Sequence, residues 1–225
     1  MKKERKKELA AALVLILAFV LWTALVKVVD VQAIGPRASS VGFATLNRAF
    51  HSLTGVNLWL YTVTDWMGLV PIAVALGFGV LGLVQLALRK SIFKVDGSIL
   101  ALGVFYVTVI AVYVFFEFAV INYRPVLIEG RLEASYPSST TMLVTCVMPT
   151  AIMQFNERIK NPALRRGIVW LCVAFIAFMV IGRLISGVHW ISDIIGGALF
   201  SIGVVIAYGY AVKTLNSTNS REKFS

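Results

Sequence analysis

The sequence predicts an all-α fold, a polytopic membrane bundle of six transmembrane helices with N- and C-termini cytoplasmic. Three observations predict it. Of 225 residues, 59% are hydrophobic and only 14% charged, where a soluble domain carries about a quarter charged residues. Mean hydropathy is +0.84. Together these exclude a soluble globular protein, and also a disordered one, which needs low hydrophobicity. The apolar residues fall into six runs, each near the roughly 20 residues a helix needs to cross a bilayer core. Lys and Arg divide unevenly between alternate loops. The chain, 1–225, reads as a single integral membrane domain without internal repeats.

The first run, 9–29, follows a charged tail from Met1 to Glu8. It is too long for a signal-peptide core and reads as an uncleaved signal anchor. A long segment follows. In it Phe43, Leu46, Phe50 and Leu53 form one apolar stripe on a short helix, after the capping candidates Ser39 and Ser40. Asn47, Arg48 and His51 fall elsewhere on the wheel. Such a helix either lies flat on the outer membrane surface or packs on the bundle, and His51 reads as a solvated surface residue. The remaining runs are 66–88, 99–121, 138–155 (with Pro149 inside), 167–184 and 190–212. Backbone groups in hydrocarbon must pair within the segment, so each run is a helix.

Charge orients the bundle. With the N-terminus inside, the cytoplasmic pieces hold fifteen basic residues: Lys2, Lys3, Arg5, Lys6 and Lys7; Arg89, Lys90 and Lys94; Arg158, Lys160, Arg165 and Arg166; and Lys213, Arg221 and Lys223. The other side holds six, Lys27, Arg37, Arg48, Arg124, Arg131 and Arg183. The net charge of +10 is therefore topology, and no aromatic–basic run argues for nucleic acid. Cys146 and Cys172 lie in apolar runs and lack disulfide or metal spacing; they read as small buried residues. Two histidines, His51 and His189, make bis-His haem between neighbouring helices an unsuitable reading. Topology does not account for Arg124 and Arg183 at outer helix ends.

Unusual polar residues cluster in three places. His189 and Asp193 stand four apart and share a helix face. An aspartate there can accept from Nδ1, leaving Nε2 free as nucleophile or base. Arg183, across a turn at Ser186-Gly187, can grip a phosphate with two parallel hydrogen bonds. Read singly, these are an interfacial histidine, a helix-end aspartate and a snorkelling arginine; ionisable residues grouped at one membrane edge point to function. Pro137-Ser138-Ser139-Thr140-Thr141 opens the fourth helix, where hydroxyl caps and free N–H groups make an anion site, or simply a capped helix start. Arg124-Pro125 ends the third helix, with Glu117 two turns back on the same face. Glu117 either pairs with an arginine or takes part in chemistry as a desolvated carboxyl.

These three places in this order resemble the type 2 phosphatidic acid phosphatase family of membrane lipid phosphatases. Its pattern is Lys-x6-Arg-Pro, then Pro-Ser-Gly-His, then Ser-Arg-x5-His-x3-Asp. Here the third block is Gly182-Arg183-x5-His189-x3-Asp193, the second Pro137-Ser138-Ser139-Thr140, and the first Glu117-x6-Arg124-Pro125. The resemblance implies that His189 is the nucleophile, forming a phosphohistidine, and that Asp193 orients it. It implies that Arg124 and Arg183 hold the phosphoryl oxygens, with Ser138 and backbone N–H groups near Ser139, and that no metal or other cofactor is needed. Such clamps stabilise charge that builds in the transition state.

Gly182 replaces the family's serine in the third block, and two further departures bear on the chemistry. Thr140 stands where the family has the histidine that protonates the leaving group, and losing a general acid costs about 10²–10⁴ in rate. Glu117 stands where the family has a phosphate-binding lysine. Either another group supplies the acid (Glu117, with Tyr136, Glu133 or water as further candidates), or the chain binds lipid phosphates or partners without hydrolysing them. The intact Arg–His–Asp block favours the first account. The expected function is phosphoryl transfer from a lipid phosphate or diphosphate (polyprenyl diphosphate, phosphatidylglycerophosphate or phosphatidic acid) to His189, then hydrolysis at the outer face of a bacterial plasma membrane. A small transporter would show repeats and paired broken helices at the midplane, which are missing from the sequence.

Overall fold

Each apolar run closes its own backbone hydrogen bonds as a helix. A computed structural model describes residues 2–222, with side chains for residues 4–217. Of the charges used for topology, Lys2, Lys3 and Arg221 lie outside the described side chains and Lys223 outside the described residues. Eight α-helices follow in order: α1 Lys2–Val28, α2 Ala44–Thr54, α3 Leu58–Met67, α4 Leu69–Arg89, α5 Gly97–Phe118, α6 Ser139–Arg158, α7 Pro162–Ile185 and α8 Ile191–Glu222. Beyond these the described residues form two short 3-10 helices, Pro36–Ala38 and Ile92–Lys94, and isolated β-bridges.

Among the described residues five stretches are long and apolar enough to cross a membrane: Glu4–Val28, Leu58–Arg89, Gly97–Phe118, Pro162–Ile185 and Ile191–Ser217. The second begins eight residues earlier than the apolar run suggests. Asn57 caps α3, its Oδ1 accepting from Leu60 N at 2.9 Å, and α3 continues through a break at Gly68 into α4. Asn161 likewise starts α7 early, accepting from Ala163 N and Leu164 N. α6 matches the spans in length but carries Thr140, Thr141, Thr145, Thr150 and Gln154. It can afford them because it lies inside, against α4, α5, α7 and α8, with half its residues buried.

α1 packs along α8, and the rings of Phe19, Phe116 and Phe200 meet at 5.3–5.8 Å between them. Tyr136 packs edge-on to Phe116 above Gly196, where an added Cβ would stand 2.6 Å from the tyrosine ring. Only glycine lets α8 pass so close. At the end that carries the basic loops, Asp96 accepts from Arg89, Arg158 and Gln85 at 2.8–2.9 Å. Burial pushes against its ionisation, but these three bonds prevail and hold it at about 2. They tie α4, α5 and α6 together there.

Of the two placements open to α2, it packs on the bundle, against α8. Leu46 and Leu53 face outward, 45% and 84% exposed, whereas Asn47 is buried. Asn47 donates to Gly42 O at 2.7 Å and Ser192 Oγ at 2.9 Å, and accepts from Ser192 N at 3.2 Å. So α2 packs on the bundle by its polar face and turns much of its apolar stripe away. The stripe itself is split, since Phe43 stacks on Trp22. Ser39 and Ser40 are not the caps. Phe43 occupies the cap position, and Asp30 Oδ2 accepts from Thr45 N. His51 is half-buried rather than solvated: its Nε2 lies 3.1 Å from Gly187 O and its ring leans on Trp190.

Candidate active site

The turn between α7 and α8 delivers His189. Gly187 has φ +66°, and a Cβ there would stand 1.8 Å from Gly55 O, so the turn needs glycine twice over. His189 is 4% exposed. Its Nδ1 lies 3.2 Å from the Ser135 carbonyl oxygen. A carbonyl only accepts, so Nδ1 carries the proton and Nε2 keeps its lone pair. That lone pair accepts from Arg124 Nη1 at 3.1 Å. Burial first, then Arg124 and Arg183, holds the imidazole well below its usual range, against the opposing bond to Ser135. The ring is neutral at neutral pH, with Nε2 turned toward a cation.

Asp193 does not take the direct hydrogen bond that its spacing suggests. Its Oδ2 is 3.8 Å from Nδ1, beyond hydrogen-bond range, and accepts from Trp190 N at 3.0 Å. Its Oδ1 accepts from Asn122 Nδ2 at 3.1 Å. Asp193 therefore ties the backbone beside His189 to the α5–α6 loop, and Ser135 O holds the ring itself.

Arg124 is not on α5. That helix ends at Phe118, and the chain then pairs with itself: Arg124 N donates to Glu133 O and Ser135 N to Asn122 O. These cross-loop bonds, rather than Pro125, set where Arg124 stands. The side chain lies 3.0 Å from Glu133 Oε2 through Nε, which is out of line for a hydrogen bond. Glu117, expected to share a face with Arg124, remains on α5. It lines a small cavity with Ser139, Ser135 and His189.

Arg183 is 1% exposed. Its Nη2 donates to Asp65 Oδ1 at 2.6 Å and Thr140 Oγ1 at 2.5 Å, and its guanidinium lies over the Tyr61 ring at 4.9 Å. Arg124 approaches the same ring at 5.8 Å. Arg183 Nε and Nη1 and Arg124 Nε are buried with no hydrogen-bond acceptor. Buried donors without partners cost about 1–3 kcal/mol each, more when charged.

Ser138 is the N-cap of α6. Its Oγ accepts from Thr141 N and Thr141 Oγ1, and its N donates to Asp193 O at 3.1 Å. Its groups are spent in holding α6 against α8. The amides of Ser139 and Thr140 are the free N–H groups of the first turn among the described residues. Tyr136 lines the same small cavity as His189, but its hydroxyl is engaged with α1. Thr23 donates to Phe19 O and so accepts from the tyrosine hydroxyl at 2.6 Å, and burial pushes that hydroxyl well above its usual range.

The sequence reading passed over Asp65, Tyr61, Asn122 and Ser135. Tyr61 and Asp65 are four apart, just outside the expected second span. An acid at that edge needed a basic partner, and Arg183 lacked an explanation, so the pair was the available signal. The cavity beside His189, about 10 Å³, has room for about one water.

The state of His189 has a consequence for stability. In the unfolded chain it titrates near its ordinary value of about 6.5. Below that pH the unfolded state binds a proton that the folded state refuses, so this contribution is present above about pH 6.5 and is lost on acidification. Thermal unfolding in detergent is expected to show wild-type Tm falling as pH drops from about 7.5 to 5.5, with a shallower fall for His189→Gln. Parallel curves would refute it.

The helical bundle gathers two buried arginines, a neutral histidine and free amides at one end. Residues 97–217 match the PAP2 superfamily, and the chain belongs to that superfamily. A solved structure described as the crystal structure of the first transmembrane PAP2 type phosphatidylglycerolphosphate phosphatase from Bacillus subtilis is similar at 20% identity. The TM-score is 0.59, covering 92% of this chain and 96% of that one, and the likeness shows a shared fold. No curated protein matches.

Proposed function

We propose that this chain is a membrane lipid-phosphate phosphatase that transfers a phosphoryl group to His189 Nε2 and then hydrolyses the phosphohistidine. The supporting observation is the neutral, buried His189 turned toward Arg124, beside arginine N–H groups that lack acceptors. In this reading Arg124, Arg183 and the amides of Ser139 and Thr140 take the phosphoryl oxygens. Ser138 supports the helix start and Asp193 the backbone around His189. Thr140 positions Arg183, and Glu117 shapes the seat beside His189. Tyr136 pins the loop to α1. No metal is assigned a role.

A groove of about 650 Å³, lined by Leu69, Ile72, Leu76, Val109, Met142, Leu143 and others, ends at Asp65, Ser139 and Thr140. An acyl or prenyl tail fits it, with the phosphate at the polar end. In this reading α6 also crosses the bilayer, making six spans. The basic loops and both termini face the cytoplasm, and the site faces outside, in a bacterial plasma membrane. The substrate is a lipid phosphate or diphosphate such as phosphatidylglycerophosphate, phosphatidic acid or polyprenyl diphosphate.

The test is phosphate release by detergent-purified protein across these lipids. Wild type is expected to release phosphate from at least one, and inertness across the panel would leave lipid-phosphate binding as the function. Glu117→Gln removes a negative charge beside the seat. It is expected to lower KM and keep kcat within about tenfold, whereas a kcat loss of about 10²–10⁴ would make Glu117 the acid.

A further inference from the structure

The small cavity at His189 and the apolar groove meet at Tyr113, Ser139 and Met142, which line both, and Ser139 stands at the groove's polar end. His189 lines the first and not the second; Asp65 lines the second and not the first. Phosphoryl transfer places attacking and leaving groups roughly in line across phosphorus. With Nε2 attacking from one side of Ser139, the leaving oxygen stands on the groove side, where its tail must lie.

Among the described residues lining that groove, Asp65 is the one carboxyl. The other titratable residues there are Tyr106, whose hydroxyl lies 3.2 Å from Thr150 Oγ1, and Tyr113. Arg183 Nη2 bonds both Asp65 Oδ1 and Thr140 Oγ1, at 2.6 and 2.5 Å. The carboxylate oxygen is therefore no more than about 5 Å from a hydroxyl at the groove's polar end. Asp65 also lines a second cavity of about 330 Å³, with Tyr61, Thr62 and Glu129. Its side chain is 56% exposed, so water reaches it.

Resting on the phosphatase reading above, we propose that Asp65 is the general acid–base of the reaction. At rest the carboxylate neutralises Arg183. An arriving phosphoryl group takes the guanidinium, and Asp65 is left beside an anion at the mouth of an apolar groove. The exposed carboxyl takes up a proton from bulk solvent through the outer cavity. The Nε2 lone pair then forms the P–N bond while the P–O bond to the leaving group breaks. The departing oxygen keeps that electron pair and takes the proton of Asp65. In the second step a water molecule gives a proton to the Asp65 carboxylate as its oxygen bonds to phosphorus. The P–N electron pair returns to Nε2, and phosphate and neutral His189 result.

The leaving group's own acidity tests this. A nitrophenolate departs without a proton; an alkoxide does not. Purified full-length protein is assayed with a long-chain alkyl phosphate and with p-nitrophenyl phosphate, as wild type, Asp65→Asn and His189→Ala. For Asp65→Asn, kcat/KM is expected to fall about 10²–10⁴-fold on the alkyl ester and less than about tenfold on the nitrophenyl ester. Activity on the nitrophenyl ester also shows that the variant is folded. Equal losses on both esters would make Asp65 a mere anchor for Arg183 and overturn the proposal, and so would no loss on either. Hydrolysis that survives in His189→Ala would overturn the phosphatase reading itself, whatever Asp65→Asn does. A wild type inert on both esters would overturn both.

Discussion

His189→Ala lowers phosphate release about 10⁴–10⁶-fold, the scale seen when a nucleophile that works as part of a unit is removed. The reason lies in what each ring nitrogen does. Nδ1–H donates to Ser135 O, which sets the tautomer, and Nε2 presents its lone pair to Arg124. Alanine removes that lone pair and also leaves Arg124 Nη1 without its nitrogen acceptor inside the bundle. Some lost activity could then be lost structure. His189→Gln separates the two effects, because its amide fills similar space and can still accept from Arg124 but forms no stable phosphoryl bond. The expected result is a folded, inactive Gln variant that still binds lipid phosphate. Appreciable turnover by either variant would remove His189 from the chemistry.

Arg183→Lys is the second large effect. Arg183 divides its donors: Nη2 holds Asp65 and Thr140, while Nη1 and Nε are buried with no acceptor. A lysine ammonium can replace the first contact. It offers no second, parallel N–H for a phosphoryl oxygen, and its flexible stem does not lie flat on Tyr61 as the guanidinium does. The expected loss is about 10²–10³ in kcat, the range for removing one transition-state donor. Stability should change much less. Asp65 is more than half exposed, so solvent screens its half of the ion pair. Steady-state kinetics with thermal unfolding of the same preparation checks both. Full activity in Arg183→Lys would mean that the free donors of Arg183 do not meet the substrate.

The legible parts of this molecule were those set by short spacings. His189 and Asp193 stand one turn apart, Pro137-Ser138 opens a helix, and six apolar runs become helices. What escaped depends on contacts between distant segments. Ser135 holds His189 through a main-chain oxygen, which no side-chain identity reveals. Arg124 owes its place to a loop that bonds to itself across Asn122, Glu133 and Ser135, so counting helical turns back to Glu117 misplaced it. Asp65 was missed because the second span seemed to begin at Trp66, although Asn57 starts the helix two turns earlier. The apolar stripe of α2 turns outward for a solvent reason. Beside a bilayer the outside can be apolar, and the face toward the bundle holds Asn47 and its bonds to Ser192.

The most direct measurement is of the intermediate. Purified protein is mixed with a lipid phosphate labelled at its terminal phosphorus and quenched in alkali during turnover. The labelled peptide is then identified. The expected result is an acid-labile, alkali-stable label on the peptide containing His189, absent from His189→Gln. A wild type that turns substrate over while His189 stays unlabelled, or that carries the label on another residue, would contradict the nucleophile on which this account rests.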